Sequence, residues 1–325
     1  MDNNCLYIVV PCYNEEQVLP ITAPIFKEEL EILIEKKLVS SSSKILFVDD
    51  GSKDSTWKII ESLHEENDCF IGIQQSRNRG HQNAILAGML ESINESDMVV
   101  TIDCDGQDDI FSIEKMVEEY YNGAEIVYGV REDRSTDSFF KKNSAEFFYK
   151  FLKAMGVDVV YNHADFRLVS KKVLIELKKF REVNLYLRGM LPLVGFKSTC
   201  IYYKRQKRKA GKTHYPFSKM LALAFDGITS LSIRPIRIIS VIGLLVSVLS
   251  LLGVVWAVVI EISGKTVPGW ASTVCVILFA TGVQLISIGV LGEYIGKIYM
   301  EVKARPRYII SKRIEGDEKN DETGE

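Results

Sequence analysis

The six cysteines of this 325-residue chain, Cys5, Cys12, Cys69, Cys104, Cys200 and Cys275, include no Cys-x-x-Cys pair. Neither a zinc site nor a disulfide framework is therefore signalled, and a reducing compartment fits. The chain has no Gly-x-Gly-x-x-Gly and no P-loop, which removes two common glycine-rich phosphate cradles. Its N-terminus runs from Met1 through a short polar stretch into Leu6-Tyr-Ile-Val-Val10, without the basic flank and long apolar core of a signal peptide. The region that follows is expected to stay in the cytoplasm. Charge is also missing in places: 238–260 and 270–292 each hold 23 residues with no charged side chain.

At ~1.5 Å rise per residue, each of those stretches makes a helix of ~34 Å, enough to cross a hydrocarbon core of ~30 Å. Two membrane spans are expected; two buried core helices would need a larger surrounding domain than the chain has. The connection 261–269 holds one lysine, whereas Arg234, Arg237, Lys297, Lys303, Arg305 and Arg307 flank the other ends. By the positive-inside rule both ends of this hairpin, 235–310, face the cytoplasm. Ahead of it, in 216–234, Phe217, Met220, Leu221, Ala224, Phe225, Ile228 and Leu231 recur at steps of three and four. That stripe fits a helix lying in the headgroup region, or a core-facing helix of the preceding domain.

With 47% hydrophobic and 26% charged residues, nothing suggests disorder. The formal charge of −3 conceals an asymmetry, because the last eleven residues carry six acids and one lysine. The segment 311–325 is expected to be an acidic, mobile tail.

Residues 1–215 alternate short apolar runs (6–10, 44–48, 70–74, 98–102, 125–128) with helical patterns near 15–37, 54–66, 80–93 and 111–121. This βαβ rhythm predicts a Rossmann-like α/β domain, a mostly parallel sheet with helices on both faces, whose ligands lie beyond the carboxyl ends of the strands. The polar motifs fall at those ends. Tyr13-Asn-Glu15 follows the first strand, Asp49-Asp-Gly-Ser52 the second and Asp103-Cys-Asp105-Gly-Gln107-Asp108 the fourth. Taken singly, each could be a turn, a helix cap or a solvated loop. An Asp-x-Asp ending a buried strand can also hold a hard divalent cation against a diphosphate.

Together, Val9-Val-Pro11-Cys-Tyr13-Asn-Glu15-Glu, Val48-Asp-Asp50-Gly-Ser-Lys-Asp-Ser-Thr56, Asn78-Arg-Gly-His81 and Asp103-Cys-Asp105-Gly-Gln107-Asp resemble the inverting GT-A glycosyltransferases of family 2. Tyr128-Gly-Val-Arg131, Asp165-Phe-Arg167-Leu, Arg205–Tyr215 and Gly292–Pro306 are similar to the polyprenyl-phosphate branch, relatives of dolichol-phosphate mannose synthase and the bactoprenol glucosyltransferases. The likeness spans the chain to about residue 310. It departs at Arg79, Gly106 and Lys142, where an aromatic, a bulkier apolar residue and an arginine are usual. A processive synthase would carry a Gln-x-x-Arg-Trp motif, and none is present.

The resemblance implies a GT-A domain plus a two-helix transmembrane hairpin, with Mg²⁺ or Mn²⁺ held by Asp105 and Gln107. Pro11, Tyr13, Glu15 and Asp50 would hold the nucleotide base and ribose, while Asp103 would contact the ribose or sugar. An anionic acceptor brought beside an anionic diphosphate needs fixed cations. Arg131 and Arg205 are the leading candidates, with Arg134, Lys142 and Arg208 behind them. The run 204–212 could also serve as a basic surface for anionic lipid heads. Asp165 would act as a base or orient Arg167. The expected reaction moves a hexose from a nucleotide sugar, UDP-glucose first, to undecaprenyl phosphate in the bilayer. UDP-GlcNAc, UDP-galactose and GDP-mannose are alternative donors, and a catalytically idle membrane adaptor or lipid-translocation component is the rival from another class. A homo-oligomer is implied; a nucleic-acid partner is not.

Overall fold

The computed structural model describes residues 4–132, 163–183, 186–205, 229, 232–263 and 269–315. Contacts divide the chain into two units: an α/β unit to which Arg305 onward returns, and a helical unit containing Phe217–Ala304.

The α/β unit begins with β1 (Leu6–Cys12), α1 (Leu19–Glu35), β2 (Lys44–Asp49), α2 (Thr56–Glu66), β3 (Phe70–Gln75), α3 (His81–Glu91) and β4 (Met98–Thr101). It continues through α4 (Ile113–Tyr121), β5 (Ile126–Arg131), β6 (His163–Ser170), α5 (Lys171–Lys178), α6 (Leu187–Leu193) and β7 (Ser198–Tyr203), and closes with β8 (Ile310–Ile314). The eight strands form one sheet in the order β7-β5-β6-β4-β1-β2-β3-β8. Strands β4, β1, β2 and β3 run parallel, as do β5 and β7, while β6 is antiparallel to both its neighbours and β8 is antiparallel to β3.

Alternation along β1 explains the two layers. Leu6, Ile8 and Val10 join a core with Phe26 and Leu30 of α1, Trp57 and Ile60 of α2 and Met116 of α4. Tyr7 and Val9 face the other way, toward Ala84–Met89 of α3, Val173 and Leu177 of α5 and Leu191 of α6. Strands buried on both faces must be apolar throughout, which is why β1 reads as a continuous hydrophobic run. Gly88 lets α3 sit close on the sheet, since a Cβ there would lie 2.3 Å from Val9 Cγ1 and 2.9 Å from Val48 Cγ2.

Two expectations change. The tail expected from 311 begins instead as a strand, with Gly72 opposite Ile314, Ile73 opposite Arg313 and Gln74 opposite Lys312. Ile310 and Ile314 pack on the two cores, and Arg313 pairs with Glu91 of α3. The domain expected to span 1–215 thus recruits residues from beyond the hairpin, because β3 would otherwise be a long exposed edge. Charges after Ile314 masked this short strand. The antiparallel β6 and edge strand β7 were also not anticipated.

In the helical unit, α7 (Arg234–Ile262) and α8 (Trp270–Lys303) have 29 and 34 residues. Stretches of each, Arg234–Gly253 and Phe279–Lys303, are long and apolar enough to cross a membrane. Leu244, Leu249, Leu252, Phe279 and Ile286 are among the exposed apolar side chains. Helix α8 extends about three turns past the expected span end at 292. There Tyr294 Oη donates to the Ser232 carbonyl at 2.5 Å and Lys297 Nζ to Thr229 Oγ1 at 2.5 Å, tying its end to the approach to α7. The amphipathic stripe of 216–234 lies outside the described residues except at 229 and 232–234.

Two measurements check this packing. Gly88→Ala should cost about 1–3 kcal/mol of stability through overpacking against β1 and β2, read as a lowered unfolding midpoint. Glu29, buried on α1, is pushed up to about 7 by burial, against the opposing Glu114 N–H bond. Its folded value lies above the unfolded ~4.3, so its favourable contribution is complete below that pH and disappears as pH rises through about 7. Glu29→Gln should therefore become progressively more stable than the parent between pH 5 and pH 8; a pH-independent difference would refute the assignment.

Candidate active site

The register of the parallel strands brings the motif loops to one edge. Cys12 lies opposite Asp49, the Asp50 N–H donates to the Cys12 carbonyl at 2.8 Å, and the Ile102 N–H donates to Val9 at 3.1 Å. The β1 and β2 loops are then stitched together. Asn14, at φ +55, donates its N–H to Ser52 Oγ and accepts the Lys53 N–H at its side-chain oxygen, while the Glu15 N–H reaches Thr56 Oγ1 at 2.9 Å. Pro11 is buried at the end of β1, Glu15 is half-buried, and Tyr13 stands 41% exposed.

Asp50 does something more specific than expected. Its two oxygens accept the N–H groups of Arg79 and Gly80 at 2.7 and 2.8 Å, so this buried carboxylate shapes the turn into α3. Only glycine fits at 51, where φ is +67 and a Cβ would lie 2.6 Å from the Arg77 carbonyl carbon. The assignment of Asp50 as a direct nucleotide ligand is thus joined by a scaffold role.

The turn beyond Asp50 delivers His81, the last residue of the Asn78-Arg-Gly-His81 motif, to the same edge. Its Nε2 lies 3.3 Å from Asp103 Oδ1 and 3.5 Å from Asp165 Oδ2. Burial alone would lower the imidazole, but the facing carboxylates of Asp103 and Asp165 outweigh that and push it up to about 10. Asp165 is held from behind as well: Arg188 donates through Nε at 3.2 Å and Nη2 at 3.0 Å, and the fully buried Arg167 donates through Nη2. Against the effect of burial, His81 and the two guanidiniums keep its carboxyl well below the usual range. A carboxylate so committed is a poor base. Of the two roles expected for Asp165, this geometry favours orientation of its partners. Arg188, on the short α6, carried no recognisable sequence signal.

A second buried carboxylate organises the other side. Asp108 Oδ1 accepts from Arg131 Nη2 at 3.0 Å and from Tyr203 Oη at 2.5 Å. Arg131, expected at the acceptor phosphate, is thereby fixed at the end of β5. Between these clusters Gly106, at φ +65, makes a tight turn in which Asp105 Oδ1 accepts the Gln107 N–H at 3.1 Å. Gln107 Oε1 in turn accepts from Arg205 Nη2. Arg134, Lys142 and Arg208 lie outside the described residues.

Among the described residues no group of three or more His, Cys, Asp or Glu side chains converges as a metal cage. The all-oxygen pair Asp105 and Gln107 still fits a hard cation that completes its shell from a diphosphate and water. Asp103 Oδ1 beside them is buried with no hydrogen-bond partner, another oxygen that a ligand could satisfy.

Comparison with known proteins agrees with this layout. The glycosyl transferase family 2 profile matches residues 7–178, and a GtrB C-terminal hairpin profile matches 234–298. An uncharacterized glycosyltransferase, YkoT, of Bacillus subtilis (strain 168) is 48% identical over 305 residues, covering 94% of this chain and 90% of that protein. The bactoprenol glucosyl transferase of Shigella phage SfX is 40% identical, covering 94% and 98%. A prophage bactoprenol glucosyl transferase homolog of Escherichia coli (strain K12) is 39% identical, covering 94% and 98%.

Asp165→Asn should cost about 3–5 kcal/mol by stranding the buried Arg167 charge, measured by thermal or denaturant unfolding. Because the folded value of Asp165 lies below the unfolded ~3.9, its stabilisation is present above that pH and is lost as pH falls through the folded value. A fully stable but inactive Asp165→Asn protein would restore the base assignment.

Proposed function

This chain belongs to glycosyltransferase family 2, and we propose on that premise that it transfers a hexose from a nucleotide diphosphate sugar to polyprenyl phosphate at the cytoplasmic face of a membrane, with inversion. UDP-glucose and undecaprenyl phosphate are the leading substrates. The observation that carries the reading is the Arg205–Gln107 contact, which brings Arg205, just after β7, onto the acidic motif after β4. Donor-diphosphate ligands and an acceptor-phosphate ligand would thus adjoin.

Tyr13 would stack on the base and Glu15 would reach the ribose. Asp103 would accept from a donor hydroxyl. Asp105 and Gln107 would hold a Mg²⁺ or Mn²⁺ ion, which when bound would offset charge developing on the departing nucleoside diphosphate. Arg131 and Arg205 would bind the acceptor phosphate. With a second pKa near ~6, that phosphate is already largely dianionic at neutral pH, so its oxygen needs no protein base. This agrees with the commitment of Asp165 to three cations. Attack opposite the leaving group would convert an α-linked donor to a β-linked lipid phosphosugar.

The two apolar helices would form a multi-pass anchor with both ends in the cytoplasm, supported by the basic residues flanking them. The same anchor would keep the catalytic unit at the surface where a polyprenyl headgroup lies.

Membranes containing the protein should move label from UDP-glucose to an organic-extractable product when undecaprenyl phosphate and Mg²⁺ or Mn²⁺ are present. Asp105→Asn should lower turnover at least 100-fold while leaving the unfolding midpoint nearly unchanged. Absence of transfer from a panel of UDP- and GDP-sugars would refute the reading, and full activity in chelator would refute its metal component.

A further inference from the structure

Three observations isolate His81 from an ordinary surface histidine. It is the first residue of α3, and the residues on either side are anchored to different parts of the sheet edge. Before it, Asp50 accepts the N–H groups of Arg79 and Gly80, with Gly80 at φ +92. After it, Gln82 Oε1 accepts the Leu187 N–H at 3.1 Å, tying α3 to α6, the helix that supplies Arg188. The ring is consequently delivered between two carboxylates from different strands' ends.

The two carboxylates differ. Asp165 is only 7% exposed and already accepts from Arg167 and Arg188, whereas Asp103 is 31% exposed and its Oδ1 has His81 Nε2 at 3.3 Å and no formed hydrogen bond. Among the described residues His81 is the cationic side chain that stands in ion-pair range of Asp103, whereas Asp165 has three such neighbours, so a loss of His81 bears on Asp103 more than on Asp165. His81 is itself 43% exposed, so the imidazole and the Asp103 carboxylate stand together on the open side of the cluster, with Asp165 behind them. A donor ring N–H beside an acceptor carboxylate is the pairing that matches neighbouring hydroxyl groups of a sugar, each of which both donates and accepts.

We propose that His81 is a positioning residue for the donor: it sets the Asp103 carboxylate against Asp165 so that Asp103 meets the hydroxyl groups of the donor's sugar portion. The assignment rests on the glycosyl-transfer reading above. Its consequence is a division of labour, in which Tyr13 and the β1 loop retain the nucleotide while His81 governs how its glycosyl end is presented. A misplacement of about 1 Å at such a contact can cost ~100-fold in rate.

The test compares the full-length protein with His81→Ala and His81→Gln, using UDP-glucose and undecaprenyl phosphate for turnover and UDP with Mn²⁺ for binding by calorimetry. His81→Ala should lower kcat about 10- to 100-fold and leave the UDP dissociation constant within about twofold. His81→Gln, which restores a side-chain N–H at similar reach, should recover kcat to within about fivefold of the parent. Unchanged kcat in His81→Ala would overturn the proposal. So would a tenfold loss of UDP affinity, which would make His81 a diphosphate ligand, or a loss in both variants that follows their folded fraction, which would make it structural. If the parent transfers no sugar from any donor, the functional reading falls and takes this proposal with it; a defect confined to the variants bears on His81 alone.

Discussion

A buried carboxylate, Asp165, held between the guanidiniums of Arg167 and Arg188 and facing the His81 imidazole, is the constraint on which the rest of the site depends. Arg167 is fully buried, and moving a guanidinium out of water costs several kcal/mol unless a partner compensates. Asp165 is that partner. The arrangement also joins parts of the chain that are far apart in sequence: β6 carries Asp165 and Arg167, α6 carries Arg188, and the start of α3 carries His81. Breaking it would leave a charge in the sheet interior and release the two helices that define this side of the site.

The Asp108–Arg131–Tyr203 cluster repeats the logic one strand away. Together the two clusters and the acidic turn bring Asp103, Asp105, Asp108 and Asp165 among His81, Arg131, Arg167, Arg188 and Arg205. With the imidazole protonated, formal charges nearly cancel. Such a surface tolerates its own carboxylates without a ligand, yet adding a divalent cation leaves it distinctly positive. An anionic diphosphate and an anionic phosphate are the species that would restore balance, and at low effective dielectric that balance weighs more than it would in water. Such a charge balance does not select one hexose over another.

Much of the first half of the chain was legible because its grammar is local. Parallel strands covered on both sides must be apolar, and helices between them must carry one apolar face, so β1 to β4 and α1 to α4 could be read from the order of residues. The loops at their carboxyl ends followed from topology, and with them Tyr13, Asp50 and Asp103 to Asp108. The later strands are different. Strand β6 carries an aspartate and an arginine in its interior, which read as loop chemistry until their pairing is seen, and β8 is five residues long with Lys312 and Arg313 in it. The role of Arg188 and the dependence of Asp103 on His81 exist only through contacts between residues separated by tens of positions.

After the helical pair the chain returns to the sheet. Strand β8 is hydrogen-bonded to β3, Tyr308 Oη donates to Glu91 at 2.8 Å, and Arg307 donates to the Phe180 carbonyl. The segment after α8 is thus secured within the α/β unit by backbone pairing as well as by side chains. Without β8, the outer edge of β3 would present unpaired N–H and C=O groups to any other chain, and five paired residues close it. The short strand after the helical pair therefore acts on the α/β unit itself, as the cover of an edge that the segment before the hairpin leaves open.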